Sequence, residues 1–127
     1  MSLLGIDHMV LTVGDIDASV AFYEVLGMER QTFGEGRIAL CFGRQKINLH
    51  RAKGETASPR ADSPGTGTAD FCLIDSDLAQ ARRRLEDAGI AIELGPVART
   101  GAAGPIRSIY CRDPDGNLVE IAAYEET

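Results

Sequence analysis

Residues 110–121, YCRDPDGNLVEI, read as two strands around a tight turn, with a lone carboxylate, Glu120, set among Leu118, Val119 and Ile121. Strands pleat with period two, so Glu120 shares a face with Leu118 and Ala122, opposite Val119 and Ile121. The turn chemistry is explicit. Asp113 opens a type I turn, Pro114 presets φ at its second position, and Gly116 supplies the positive φ that closes it. A carboxylate just past such a turn, inside an apolar strand, requires a partner.

Upstream, residues 69–75 (ADFCLID) read as a strand, Asp77 as the N-cap of a helix with Gln80 in the capping-box position, and Gly89 as its end. Leu78, Ala81, Leu85 and Ala88 form the buried stripe of that helix, with Arg82, Arg83 and Glu86 solvated. The first half carries the same signals. Residues 6–13 (IDHMVLTV) read as a strand, and Asp15 caps a helix running to Leu26, with Gly27 just past it and Ile16, Val20, Tyr23 and Leu26 as its stripe. A shift of 62 lays Asp7 and His8 on Ala69 and Asp70, Asp15 on Asp77, Ile16 on Leu78, and Gly27 on Gly89. Four ungapped coincidences indicate a duplicated β-α-β-β(-β) module.

Strands 37–42 (RIALCF) and 46–50 (KINLH), joined through Gly43, correspond to closing strands 106–112 and 117–124. Laying VEI on INL sets Glu120 opposite Asn48. Between the halves, residues 51–67 (RAKGETASPRADSPGTG) offer almost nothing to bury and read as a linker or long surface loop. The expected architecture is α+β: one domain of two βαβββ modules, about 4–51 and 68–125 with linker 52–67. These form a curved mixed sheet around a cavity, helices on the outer face.

The totals fit this. A chain of 127 residues buries a core without disulfides, and 44% hydrophobic with 25% charged residues is ordinary globular composition. Thirteen basic against nineteen acidic residues give a net charge of −6, which argues against nucleic acid as a partner. Cys41, Cys72 and Cys111 sit in separate strand-like runs and read as buried reduced thiols of a cytoplasmic protein. The N-terminal residues lack a basic region, so no signal peptide is expected, and no apolar run is long enough for a membrane span.

Helices on one face leave the other face for a cavity. The helix-facing set is Met9, Leu11, Val13, Ile47, Leu49, Phe71, Leu73, Val119 and Ile121. The complementary set is His8, Thr12, Asn48, His50, Asp70, Cys72, Tyr110 and Glu120. His8, its repeat equivalent Asp70, and Glu120 are nitrogen and oxygen donors that suit a divalent ion such as Mn, Fe, Co, Ni or Zn. A strand histidine with one polar neighbour is also an ordinary structural residue, and Glu120 has Arg112 or a backbone donor as an alternative partner. In residues 99–104, two glycines beside Arg99 read either as an anion-binding loop or as a flexible one. Arg112 either lines the cavity mouth or pairs with Asp113 or Asp115.

The Asp7-His8 pair, the helix ending in Leu26-Gly27, the GPV stretch and above all the YxRDPDGNLVE block resemble the vicinal oxygen chelate superfamily. That superfamily includes glyoxalase I, bleomycin and fosfomycin resistance proteins, and extradiol dioxygenases. The likeness spans essentially the whole chain. FGRQKINLH together with GPVARTGAAGPIRSIYCRDPDGNLVEI is most similar to a glyoxalase-domain group often labelled virulence proteins. By position, the resemblance implies metal ligands at His8, Asn48, Asp70 and Glu120. His8 and Glu120 match the usual types; Asp70 replaces a common histidine, and Asn48 a common glutamate.

The expected metal set is therefore His8, Glu120, Asp70 and His50, since His50 lies one pleat repeat beyond Asn48. Glu120 and His50 are the expected catalytic groups, with Asn48, Arg99 and Tyr110 contacting substrate. The implied activity is metal-dependent chelation of vicinal oxygens of a small substrate, as in lactoylglutathione-lyase-like isomerisation. The alternatives are extradiol-dioxygenase-like ring cleavage and non-catalytic binding of the bleomycin-resistance type. The resemblance also implies a homodimer, with His8 and His50 from one subunit and Asp70 and Glu120 from the other.

Overall fold

The computed structural model describes residues 2–125. Each half of the chain runs β-α-β-β-β, as the internal repeat requires. The first comprises β1 (His8–Val13), α1 (Ile16–Val25), β2 (Glu29–Phe33), β3 (Arg37–Phe42) and β4 (Gln45–Arg51). The second comprises β5 (Asp70–Ile74), α2 (Leu78–Asp87), β6 (Leu94–Gly101), β7 (Gly104–Arg112) and β8 (Leu118–Tyr124). The chain divides into two compact units between Gly67 and Thr68. Each unit builds its own open four-stranded mixed sheet, ordered β1-β4-β3-β2 and β5-β8-β7-β6. The connecting residues 52–69 contain no helix or strand.

Both helices start and stop by local chemistry. The Asp15 carboxylate accepts from the Ala18 amide and Asp77 from the Gln80 amide, each at 3.0 Å. Beyond the helix ends, Gly27 and Gly89 take φ of 98° and 75°, the left-handed geometry that glycine adopts without a Cβ penalty.

In the first unit β1 and β4 run parallel, pairing Met9 with Ile47 and Leu11 with Leu49. Their buried side chains join Ile38 and Leu40 of β3 and pack with Val20, Phe22 and Tyr23 of α1 in the core. The buried side of α1 is rotated from the expected stripe. Ser19 and Phe22 are buried, while Ile16 and Leu26 are only half-buried. The reason is an edge-to-face pair of Phe22 and Tyr23, ring centroids 4.8 Å apart, which places both adjacent aromatics inward.

In the second unit β5 and β8 repeat the parallel register, Phe71 with Val119 and Leu73 with Ile121. Val119, Ile121, Ile109 and Cys111 are buried together with Ala81 and Leu85 of α2; Leu78 is half-buried and Ala88 exposed. The closing turn is as read: Gly116 has φ of 87° and its amide donates to the Asp113 carbonyl at 3.0 Å.

Two strands were absent from the sequence reading. β2 (ERQTF) is exposed except for Phe33, so it shows no apolar alternation. β6 (LGPVARTG) carries a bulge between Leu94 and Val97, and its glycine and proline content disguises it. Residues 99–104 form the end of β6 and the hairpin turn into β7 rather than a free loop. Arg99 and Thr100 pair with Ile106 and Pro105 of β7, and Gly101 faces Gly104 across the hairpin turn. Among the described residues no helix is long and apolar enough to cross a membrane.

Candidate functional site

The helix-free face of the first sheet gathers three of the expected residues. The β1–β4 register sets His8 beside Lys46, Val10 beside Asn48, and Thr12 beside His50, so His8, Asn48 and His50 project on one side. His8 is exposed, and its Nδ1 lies 2.8 Å from Asp7 Oδ2. A carboxylate beside Nδ1 favours the tautomer with its proton there and Nε2 free, the form a metal-binding imidazole needs. Asn48 and His50 are only 5% and 7% exposed, and Asn48 Oδ1 and His50 Nε2 have no hydrogen-bond partner. Buried polar atoms without partners are costly, so these two mark a place where a ligand would be stabilising.

Beside them Glu55 folds back on β4. Its carboxylate accepts from the Arg51 amide at 2.7 Å and from the Thr56 and Ala57 amides at 3.0 Å. Burial alone would raise its pKa, but these amides and the positive field of His50 outweigh it and hold the carboxyl below its ordinary 4.5. The folded state then resists protonation that the unfolded state accepts. The stabilisation is complete above pH 4.5 and is lost as pH falls through the lower folded value. Glu55→Gln is expected to remove that acid-side increment, read as a smaller dependence of the urea midpoint on pH below 4.5.

The second sheet holds the other expected residues. Cys72 and Tyr110 are the register neighbours of Glu120 on either side. The Ser108 hydroxyl donates to Glu120 Oε2 at 2.6 Å, which answers the question of its partner: Ser108, not Arg112. Arg112 instead grips Glu93 in a two-pronged pair at 2.9 and 3.1 Å and donates to the Gly116 carbonyl. That pair holds the Glu93 carboxyl below its ordinary value, chiefly through the guanidinium's hydrogen bond. Asp70 is exposed, and its charge adds to the field that raises the Arg112 pKa, after the larger effect of Glu93. Tyr110 is half-buried, and its hydroxyl accepts from Arg99 Nε at 3.0 Å, with the guanidinium carbon 5.5 Å from the ring centroid.

The cysteines depart from a uniformly buried set: all three are free, with Cys111 buried, Cys41 half-buried and Cys72 exposed. Although Cys72 is open to solvent, desolvation of its sulfur, then the charge and hydrogen-bond acceptance of Glu120, push its pKa up to about 11. Burial likewise raises Cys111 to about 11. Alkylation at pH 8 is therefore expected to be slow at Cys72 and absent at Cys111 until unfolding. In metal-free protein, Glu120→Gln should speed Cys72 labelling, followed by mass spectrometry; an unchanged rate would contradict the Cys72–Glu120 contact.

In the first unit, His8, Asn48 and His50 bring nitrogen and oxygen donors to one face of the sheet, a donor chemistry that suits borderline-to-hard divalent ions. Among the described residues, no three His, Cys, Asp or Glu side chains converge as a metal site. A cleft of about 720 Å³ in the first unit lies elsewhere, between the start of α1 and Arg30, Gly36, Arg51 and Lys53. Sequence reasoning missed Ser108 and the Asp7 contact. The available signal for Ser108 was its place two residues before Tyr110, on the face of Glu120.

Residues 5–121 match the family model described as Glyoxalase/Bleomycin resistance protein/Dioxygenase superfamily. The chain is 53% identical over 121 residues to a virulence protein of Salmonella typhimurium, covering 94% of this chain and 83% of that protein. The crystal structure of that Salmonella protein superposes with a TM-score of 0.94 at 51% identity, over 98% of this chain and 100% of the other. A glyoxalase domain-containing protein of Mycosarcoma maydis is 48% identical over 127 residues, 99% of this chain and 72% of its own. More distant relatives carry enzyme names. A metallothiol transferase of Shouchella clausii is 31% identical over 92% of this chain and 78% of its own. A lactoylglutathione lyase structure from Agrobacterium tumefaciens matches at 29% identity and a TM-score of 0.70, over 94% of this chain and 92% of the other.

Proposed function

The chain belongs to the Glyoxalase/Bleomycin resistance protein/Dioxygenase superfamily, and from that membership we propose that it is a metal-dependent enzyme chelating two adjacent oxygens of a small substrate. The reaction type we assign is an isomerisation of the lactoylglutathione-lyase kind. One observation carries the reading: the two residues of ligand type, His8 and Glu120, each have an orienting partner, Asp7 at 2.8 Å and Ser108 at 2.6 Å. Such partners fix ring tautomer and carboxylate rotamer before a ligand arrives.

A divalent cation, when bound, supplies Lewis-acid polarisation of the substrate oxygens. The chain's own residues do the rest. His8 offers Nε2 while Asp7 retains the Nδ1 proton. Glu120, steadied by Ser108, offers its carboxylate. His50, with a buried and unpartnered Nε2, takes a proton from one substrate carbon and returns it to the neighbouring one. Asn48 Oδ1 accepts a hydrogen bond from substrate, and Tyr110, positioned by Arg99, donates one. Isomerisation needs no oxidant: the carbon-bound proton moves to the neighbouring carbon, the hydroxyl proton moves to the neighbouring oxygen, and nothing is gained or lost overall. Asp70 is an outer carboxylate of the same set.

We further propose, from the same family membership, that the working form is a homodimer. His8 and His50 then come from one copy, Asp70 and Glu120 from the other. Three free thiols suit a cytoplasmic setting. A second reading is a small-molecule binding protein without a metal, which the net charge of −6 permits.

The deciding experiment reconstitutes the full chain with Mn, Fe, Co, Ni or Zn. It is then offered the hemithioacetal of a 2-oxoaldehyde with glutathione and, separately, a catechol under oxygen. Metal-dependent thioester formation without oxygen uptake is expected. Oxygen uptake with catechol and Fe(II) would move the assignment to ring cleavage. Tight small-molecule binding with no turnover and no metal would overturn the enzyme reading.

A further inference from the structure

The helix-free face of the first sheet carries a feature that the metal chemistry does not use. Lys46 Nζ lies 4.0 Å and Arg37 Cζ 4.7 Å from the centroid of the Phe33 ring. All three belong to the face of Asn48 and His50. Phe33 pairs with Arg37, Ala39 pairs with Asn48, and Lys46 is one pleat repeat before Asn48. Lys46 starts beside His8 at one edge of the sheet. Its ammonium reaches Phe33, near the other edge, only by laying its four-carbon stem across the face.

Neither cation has a carboxylate within ion-pair distance among the described residues, whose pairs are Asp7 with His8, Asp17 with Arg30, Glu86 with Arg82, and Glu93 with Arg112. This holds in a chain with nineteen acidic residues. Two cations drawn to one ring repel each other, and the ring's negative face offsets only part of that repulsion. An oxyanion bound at these donors offsets that repulsion and accepts charge-assisted hydrogen bonds. An independent observation on the same face also points to a ligand: Asn48 Oδ1 and His50 Nε2, more than nine-tenths buried, lack partners. A ligand with an anionic end at Lys46 and Arg37 and polar atoms at Asn48 and His50 satisfies both.

We propose that Lys46 and Arg37, gathered around Phe33, form an oxyanion subsite, so that the substrate of this chain is a small molecule bearing a carboxylate or a phosphate-type group. The inference deepens the function proposed above and rests on it only for calling the bound molecule a substrate. The test follows the Phe33 ring resonances of the full-length protein by NMR while inorganic phosphate or acetate is titrated. A saturable shift is expected with at least one anion, and the tighter of the two assigns the group.

The Lys46→Met/Arg37→Gln double variant should bind at least about tenfold more weakly. Lys46→Arg should retain binding, as should Arg51→Gln in the separate basic cleft. If the double variant fails to fold, the single Lys46→Met gives the same comparison. No saturable shift with either anion, or undiminished affinity in the variants that remove charge, would overturn the proposal. Metal affinity measured on the same variants separates the two readings. The double variant should bind metal like the parent, and anion binding in a chain that takes up no metal would sink the enzyme reading while leaving the subsite standing.

Discussion

Asp113→Ala is expected to destabilise the protein by about 3–4 kcal/mol, because it removes one acceptor from several buried donors at once. The Asp113 carboxylate accepts from the Asn117 amide at 2.9 Å, the Asn117 side-chain amide at 2.7 Å and the Asp115 amide at 3.0 Å. Asp113 and Asn117 are 5% and 1% exposed, so water cannot replace the lost bonds without opening the turn. The damage reaches further than the turn. Asn117 Oδ1 accepts from the Ala69 amide at 2.9 Å, which ties the β7–β8 turn to the start of β5. Urea unfolding should show a lower midpoint with little change in slope. Asn117→Ala should be nearly as severe, whereas Asp115→Ala, which keeps the backbone amide that donates to Asp113, should be milder. Equal effects at positions 113 and 115 would contradict the network.

Gly95→Ala should be comparably damaging for a different reason. Gly95 has φ of 112°, and an added Cβ would sit 2.4 Å from the Ser108 carbonyl oxygen and 2.9 Å from Ile109 Cα. Both obstacles are backbone, so β6 must lift from β7. Gly116→Ala is the control: its φ is 87° but nothing lies within 4 Å of the added atom. Backbone strain alone should cost about 1–2 kcal/mol there, and the clash should add roughly 2 kcal/mol or more at Gly95. The displaced residue is Ser108, which steadies Glu120. Gly95→Ala is therefore expected to weaken metal binding as well as stability, and Gly116→Ala to affect stability alone. Calorimetric metal titration beside thermal unfolding separates the two outcomes.

Much of this architecture follows from short-range chemistry. Asp15 and Asp77 as caps, Gly27 and Gly89 past the helix ends, and the Asp113–Gly116 turn are each set by residues within a few positions, so they are readable in sequence. Pleat alternation likewise assigned His8, Asn48 and His50 to one face of their sheet and Cys72, Tyr110 and Glu120 to one face of theirs. What escaped depends on the third dimension. β2 is an edge strand whose exposed residues carry no alternation, and β6 hides behind Gly95 and Pro96. The identity of Ser108 as the Glu120 partner depends on cross-strand register. The reach of Lys46 across the sheet to Phe33 depends on side-chain extension, and neither leaves a local signature. Arg112 illustrates the same limit: its acidic neighbours in sequence, Asp113 and Asp115, lose to Glu93, which β-pairing delivers with both carboxylate oxygens in line.

The proposed role of His8 and Glu120 is to ligate a divalent ion. Its most direct test is calorimetric titration of chelator-treated full-length protein with Mn, Fe, Co, Ni and Zn, alongside His8→Ala and Glu120→Gln. Stoichiometric uptake of at least one of these ions by the parent chain is expected, abolished in both variants while their circular dichroism and unfolding midpoints stay near the parent's. Undiminished metal affinity in either variant, or no uptake by the parent chain, would contradict it.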